Sequence, residues 1–455
     1  MMPEPPCQNS GMNSGPPPSN DALRALDLAH VWHPCTQMKD HEREMPMVPL
    51  RSGRGAWLED FDGKRYLDAI SSWWVNLWGH AHPRINEAVK AQLDALPHAM
   101  FAGFTHEPAA RLAAELTAVA PPGLTRCYFA DSGSAAVEVA VKMSFHYWRN
   151  AGRTRRTRFV TVANSYHGET LGALAVGNVE LYKAIYRPLL MDVITVPAPD
   201  TDGAAEALEA VLAAQGEEIA AVILEPLVQC AGAMRMHSPE YLRRARAACD
   251  RHGVHLIADE IAVGFGRTGP LFACQQAGIT PDFLCLSKGL TAGYLAMSAV
   301  LTRDEVYQAF YDDFHKLNAF LHSHSYAGNP LGCAAARTSL AMLQEPGAAE
   351  GRARLASTLG AAARAAFADH PQVAEVRQCG TIVAVEFVRD RTTREPYPWR
   401  ERRHLHIYRH AIASGVLLRP LGNVIYFMPP YIVGDAEIER MVTVAREGLD
   451  LAVVA

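Results

Sequence analysis

HLIADEIAVGFGRTGPLFACQQAGITPDFLCLSK, residues 255–288, is the stretch from which the fold is read. It holds two short apolar runs, each closed by charge: Asp259 and Glu260 end the first, and Lys288 ends the second. Runs this short between turn-forming residues read as buried strands rather than helices. Lys288 lies 288 − 259 = 29 positions after Asp259, which leaves room for one crossover and a return on a neighbouring strand. Both side chains then meet at the carboxyl edge of a sheet, where open α/β sheets bind their ligands.

The same alternation continues outward. RFVTVAN (158–164), IAAVILEPL (219–227) and AMSAVLT (296–302) read as further buried strands, while SAAVEVAVKMSFHYW (134–148) and SPEYLRRARAACDRHG (238–253) carry helical spacing. The expected fold class is therefore α/β, with a large domain on a mostly parallel sheet. Toward the C-terminus, the strand TIVAVEFV (381–388), a charged helix around 399–415, the short runs VLLRP and VIYFMPP, and a closing helix from Asp435 suggest a smaller α/β unit. AWLEDFDGKRYLDA (56–69) has hairpin character with its turn at DGK, and is expected to join that unit. The division expected is an N-terminal disordered arm 1–20, the first part of a discontinuous small domain 21–85, a large domain 86–335 and the rest of the small domain 336–455.

Bulk properties narrow the partners. A net charge of -5 with interspersed signs offers no basic stripe, so nucleic acid is set aside. No run of about 18 apolar residues lacks a charge or proline, so no membrane span is expected. The first twenty residues have neither a basic start nor an apolar core of a signal peptide, and a cytoplasmic address follows by default. Nine cysteines without C-x-x-C or histidine spacing suggest reduced thiols and no metal site.

Five segments carry chemistry. Asp259 and Glu260 face opposite sides of a strand, so one points to a strand-end site and needs a cationic partner, for which a protonated ring nitrogen would serve. Lys288 in an apolar setting has a lowered pKa and a nucleophilic amine, although a lysine snorkelling from a strand end looks the same in sequence. The glycines of GFGRTG (264–269) spell G-x-G-x-x-G but run into Pro270 rather than a helix, so they read as a turn that shapes a cleft and not as a dinucleotide fingerprint. ADSGSAAVEVAVKM (130–143) leads DSGS into a helix, either a phosphate-binding N-terminus or plain capping by Asp131 or Ser132. NSYHGET (164–170) offers Tyr166, His167 and Glu169 after a strand, and HSHSYAGNPLGCAAA (322–336) places Ser323 and Ser325 ahead of a helix start.

Together these segments, from about residue 25 onward, resemble the class III (subgroup II) aminotransferases of the fold-type I, pyridoxal 5'-phosphate-dependent superfamily. The resemblance implies that Lys288 bonds covalently to the cofactor, Asp259 pairs with its ring nitrogen, Gly133 and Ser134 hold its phosphate, and Tyr166 stacks on its ring. It implies that Ser325 contacts phosphate across a homodimer interface, with Ser323 beside the substrate. HVWHPCTQMKD (30–40), DAISSWWVNLWGHAHPRIN (68–86), MFAGFTHEPA (100–109), EPLVQCAGAMRM (225–236) and RPLGNVIYFMPPY (419–431) are most similar to the members that aminate 8-amino-7-oxononanoate to 7,8-diaminononanoate in biotin biosynthesis. For these, the resemblance implies a channel lined by Trp73 and Trp74 that ends in Arg419, with Tyr426 near the same pocket. An apolar aromatic channel closed by one guanidinium suits a long methylene chain with a terminal carboxylate. S-adenosylmethionine is the implied amino donor. Cys35 stands where members using that donor have tyrosine, so another amine donor such as lysine stays open, as does an ω-amine or diamine transaminase with a different donor and acceptor. Glu169 stands where some members have aspartate, and His324 where some have proline.

Overall fold

The computed structural model describes residues 19–455. Its centre is a seven-stranded sheet in the order Leu124–Ala130, Ser298–Arg303, Phe283–Leu286, His255–Asp259, Ile219–Leu224, Arg158–Val162, Val193–Val196. All neighbours pair in parallel except those of Ser298–Arg303, which runs against both of its partners. That strand follows Phe283–Leu286 after only the segment 287–297, too short for a crossover, so the chain turns straight back. Leu124–Ala130 and Val193–Val196 escaped the sequence reading. The first interrupts its apolar residues with exposed Thr125 and Arg126, and the second is four residues long.

Alternation along the strands sorts the core into two faces. On His255–Asp259, Leu256 and Ala258 pack on one side and Ile257 on the other, with helix Gly133–Asn150. Asp259 shares the parity of Ile257 and so faces the helix whose N-terminus carries DSGS, while Glu260 turns away. Asp259 lies opposite Cys285 in the parallel pair, which brings the end of that strand beside the approach to Lys288.

The hairpin Trp57–Asp60 and Arg65–Asp68 forms with Gly63 at φ 83 in its turn. Its second strand pairs in parallel with Val416–Leu417, joining N- and C-terminal segments in one small sheet. A second antiparallel sheet, Val373–Cys379, Ile382–Phe387 and Val424–Phe427, lies in the C-terminal part, where helix Asp435–Val454 packs on Ala348–Phe367 and His404–Ala413.

The expected divisions at 86 and 336 fall inside helices Pro83–Ala95 and Pro330–Leu343, which pack on each other. The expected arm 1–20 lies outside the described residues up to 18. Ser19, however, caps helix Asn20–His30, and buried Asn20 bonds Asp62, because both side chains satisfy backbone or carboxylate groups there.

Candidate active site

Trp74, Gly133, Ser134, Tyr166, Asp259 and Lys288 line one cavity of about 170 Å³, together with His167, Glu225 and Ile261–Val263. They come from several segments distant in the chain. Gly133 and Ser134 open the 18-residue helix Gly133–Asn150, whose N-cap Ser132 accepts from the Ala135 amide. The helix dipole makes this end favourable for an anion. A Cβ on Gly133 would sit 3.0 Å from Ile261, so only glycine gives this close approach without movement.

Asp259 is buried, accepts the Ile261 amide at 3.0 Å, and lies 2.7 Å from His167 Nδ1. His167 is itself buried, and its Nε2 has no partner among the described residues. Glu260 points away, as expected, and its partners are the backbone amides of Ala273 and Cys274 rather than a cation. Burial pushes its carboxyl up to about 7, against those two bonds.

Lys288 closes the opposite side, in a left-handed backbone conformation with φ 42. Its Nζ lies 4.4 Å from the centre of the Trp74 ring. Burial lowers its ammonium pKa from the ordinary lysine value, opposed by the charges of Cys230, Asp259 and Glu225. Snorkelling is thereby excluded as its role, since the amine faces the cavity and not bulk water.

Glu225 and His167 are the site residues that sequence reasoning left without a role. Glu225 follows the fully buried strand Ile219–Leu224 and accepts the amides of Tyr166 at 2.9 Å and Cys230 at 3.1 Å. Its signal was available: a carboxylate at the end of an apolar strand next to the one that carries Asp259. Burial, with the neighbouring Asp259 charge second, pushes Glu225 from 4.5 up to about 8. The native state therefore holds a proton there that the unfolded chain releases near pH 4.5. Stability associated with this proton is present below that value and is lost as pH rises through about 8. Glu225→Gln is expected to flatten the fall in stability between about pH 5 and 8, read by chemical denaturation at a series of pH values.

The remaining candidates lie outside the cavity lining. Tyr426 is fully buried behind Trp74, edge-on at 6.1 Å. Trp74 Nε1 and the Tyr426 hydroxyl are both buried without a partner among the described residues. Trp73 faces outward, 40% exposed, with the Arg419 guanidinium 5.1 Å from its ring centre. Arg419 reaches the Cys35 carbonyl at 3.4 Å and Thr36 Oγ1 at 3.5 Å, and no carboxylate pairs with it among the described residues. Cys35 Sγ lies 3.6 Å from Glu169 Oε1, which also accepts the Tyr166 hydroxyl at 2.9 Å, so the two departures at 35 and 169 touch each other. Burial and the Glu169 charge raise the Cys35 pKa and hold it as a thiol. Ser323 and Ser325 are exposed on a loop and do not line this chain's cavity. His324 between them lies 3.1 Å from Asp131, beside the N-terminus of helix Gly133–Asn150.

GFGRTG opens no helix. Gly266 and Gly269 take φ of 93 and 121, and the turn sends fully buried Arg267 to the carbonyls of Pro429 at 2.7 Å and Asn76 at 3.0 Å.

Comparison with known proteins identifies the family. The family pattern described as Aminotransferase class-III matches residues 38–447. An adenosylmethionine-8-amino-7-oxononanoate aminotransferase from Geobacter sulfurreducens is 43% identical over 437 residues, 92% of this chain and 95% of that protein. One of the same name from Helicobacter pylori is 43% identical over 94% of this chain and 98% of its own. The crystal structure of such an enzyme from Methanocaldococcus jannaschii superposes with a TM-score of 0.92 at 34% identity, covering 94% of this chain and 99% of that one. An ω-transaminase from Pseudomonas jessenii, in complex with PMP, superposes at 0.89 with 30% identity, covering 94% and 98%. The chain belongs to the class III aminotransferases, a pyridoxal phosphate-dependent family.

Proposed function

We propose that the protein transfers an amino group to 8-amino-7-oxononanoate, giving 7,8-diaminononanoate for biotin synthesis, with S-adenosylmethionine as donor. The observation that carries this reading is the convergence of an amine, a buried carboxylate and a helix N-terminus on one cavity, at Lys288, Asp259 and Gly133–Ser134. The names of the relatives supply the substrate and donor.

The residues present fit pyridoxal 5'-phosphate. The helix N-terminus suits its phosphate, Tyr166 flanks the cavity to stack on the ring, Asp259 suits a protonated ring nitrogen, and Lys288 suits the aldehyde carbon. When bound, the cofactor supplies the electron sink that makes the amino donor's α-proton removable. Asp259, held by His167 and the Ile261 amide, keeps a negative charge in place to stabilise the ring's proton. The Lys288 amine, its pKa lowered by burial, acts first as nucleophile and then as the base and acid that moves the proton. Trp74 covers the amine and restricts water, while Glu225 fixes the Tyr166 backbone through the amide it accepts.

For the keto acid, Trp73 and Trp74 form the aromatic path, Tyr426 backs Trp74 from behind, and Arg419 receives the terminal carboxylate. The lack of a carboxylate partner for Arg419 and its seat on Trp73 support this role. Arg419→Ala is expected to raise the keto-acid KM roughly 10- to 100-fold, on the scale of a charge-assisted hydrogen bond, and to spare the donor half-reaction. Single-turnover kinetics of each half-reaction separate the two, and equal damage to both would remove the carboxylate role.

A homodimer is part of the proposal. Ser323 and Ser325 sit outside this chain's own cavity, and large apolar side chains stand exposed nearby, Phe314 at 93% and Leu321 at 84%. This fits a second copy that covers the loop and receives Ser325 at its phosphate end. Eight free cysteines among the described residues support a reducing, cytoplasmic compartment. No described helix is long and apolar enough to cross a membrane.

Purified protein incubated with 8-amino-7-oxononanoate and, separately, S-adenosylmethionine or lysine tests the assignment by mass spectrometry of the product. Formation of 7,8-diaminononanoate with S-adenosylmethionine supports the whole reading. Product with lysine alone corrects the donor and would tie that change to Cys35 and Glu169. Turnover of simple amines without this product would favour the ω-amine reading.

A further inference from the structure

The tandem tryptophans stand on a turn that L-amino acids disfavour. Ser71, Ser72, Trp73 and Trp74 have φ of 52, 45, 73 and 76, four successive left-handed residues with no glycine among them. Such a conformation crowds each Cβ against the backbone and persists only where the surroundings over-determine it. Its hydrogen bonds include the Trp74 amide to the Ile70 carbonyl and the Val75 amide to the Ser71 carbonyl, at 2.8 and 2.9 Å.

One side chain holds the turn from inside. Asp68, fully buried, accepts the Ser72 amide at 2.8 Å and the Ser72 hydroxyl at 2.7 Å, and lies 3.0 Å from His80 Nε2. From the other side Arg267 donates to the Asn76 carbonyl at 3.0 Å and reaches the Trp74 carbonyl at 3.5 Å. The consequence is that consecutive tryptophans diverge. Trp74 turns inward over the Lys288 amine, and Trp73 turns outward beneath the Arg419 guanidinium.

We propose that Asp68 is a positioning residue: its carboxylate holds the left-handed turn Ser71–Trp74 and so sets the Trp74 indole against Lys288. The proposal rests on the aminotransferase reading of the cavity. Asp68 itself touches neither the cavity nor Lys288, and acts through the turn.

The test is Asp68→Asn in the full-length, cofactor-loaded protein. Asparagine keeps the shape and one acceptor for the Ser72 amide, but its NH2 cannot accept from the Ser72 hydroxyl. Two signals are read besides thermal stability. Circular dichroism of the bound cofactor in the visible, per unit absorbance, reports the asymmetry that Trp74 and its neighbours impose. The keto-acid KM is read against kcat.

The expected result is a dichroism signal lowered by about half or more and a KM raised roughly tenfold, the scale of one hydrogen bond to a charged group, with cofactor still bound. The double variant Asp68→Asn/Ser72→Gly is expected to recover much of both signals, because glycine enters the left-handed region without a Cβ penalty. Unchanged dichroism and KM in Asp68→Asn overturn the proposal, as does a loss that glycine at 72 fails to rescue. Should Asp68→Asn not fold, Ser72→Ala removes only the hydroxyl contact and is expected to lower the same signals by a smaller factor. No change there overturns the proposal.

Failure of the aminotransferase reading shows separately, as a wild-type protein with no visible signal. Crystal structures of wild type and Asp68→Asn then decide. A displaced turn and Trp74 support the positioning role, and an unmoved Trp74 overturns it.

Discussion

Lys288→Ala is expected to lose the long-wavelength absorbance of the covalently held cofactor and to cut kcat by roughly 10⁴-fold or more. The loss combines a nucleophile with a proton carrier, and positioned acid–base groups alone are worth about 10²–10⁴. The fold is expected to survive. Lysine at φ 42 already bears the Cβ that alanine would have, so the backbone strain is unchanged. Deleting the amine also removes the cost of burying a charge whose pKa that burial depresses. The measurement is an absorbance spectrum beside single-turnover rates, with a thermal melt as control. Near-normal colour and turnover would refute the central assignment.

The second large effect is expected from Asp259→Asn. The amide preserves volume and can still bond His167, so the protein should fold and the helix N-terminus should still hold phosphate. What disappears is the negative charge opposite the cofactor's ring nitrogen. Stripping one partner from a buried charge pair costs about 3–5 kcal/mol, or roughly 10²–10⁴-fold in kcat/KM. A fall of less than about tenfold would show that Asp259 is not the partner of a charged ring and would shift attention to Glu225. Both carboxylates line the same cavity.

These two predictions concern residues that stand out at strand ends in the sequence and that take their roles from the family resemblance. Asp259 and Lys288 were legible because charges at the ends of apolar strands are costly unless something uses them, and a separation of 288 − 259 = 29 positions allows adjacent strands. The DSGS helix start was legible for a related reason, since a cap and an anion site share the same donors. The strand Leu124–Ala130 was not, because Thr125 and Arg126 break its apolar pattern. Glu225 and His167 were visible as residues but not as members of the site. Nothing in one chain segment says which amide or carboxylate another segment will present to it.

The linear order of residues determined the α/β class, the mostly parallel sheet and the amine and acid at its edge, because strand periodicity and the cost of buried charge are local properties. Tertiary structure alone decided the contact between Cys35 and Glu169 and the outward turn of Trp73. It also decided the left-handed turn at Ser71–Trp74. No local propensity favours that conformation for serine or tryptophan, and it exists because the buried Asp68 and Arg267, from segments about 200 residues apart, grip it from two sides.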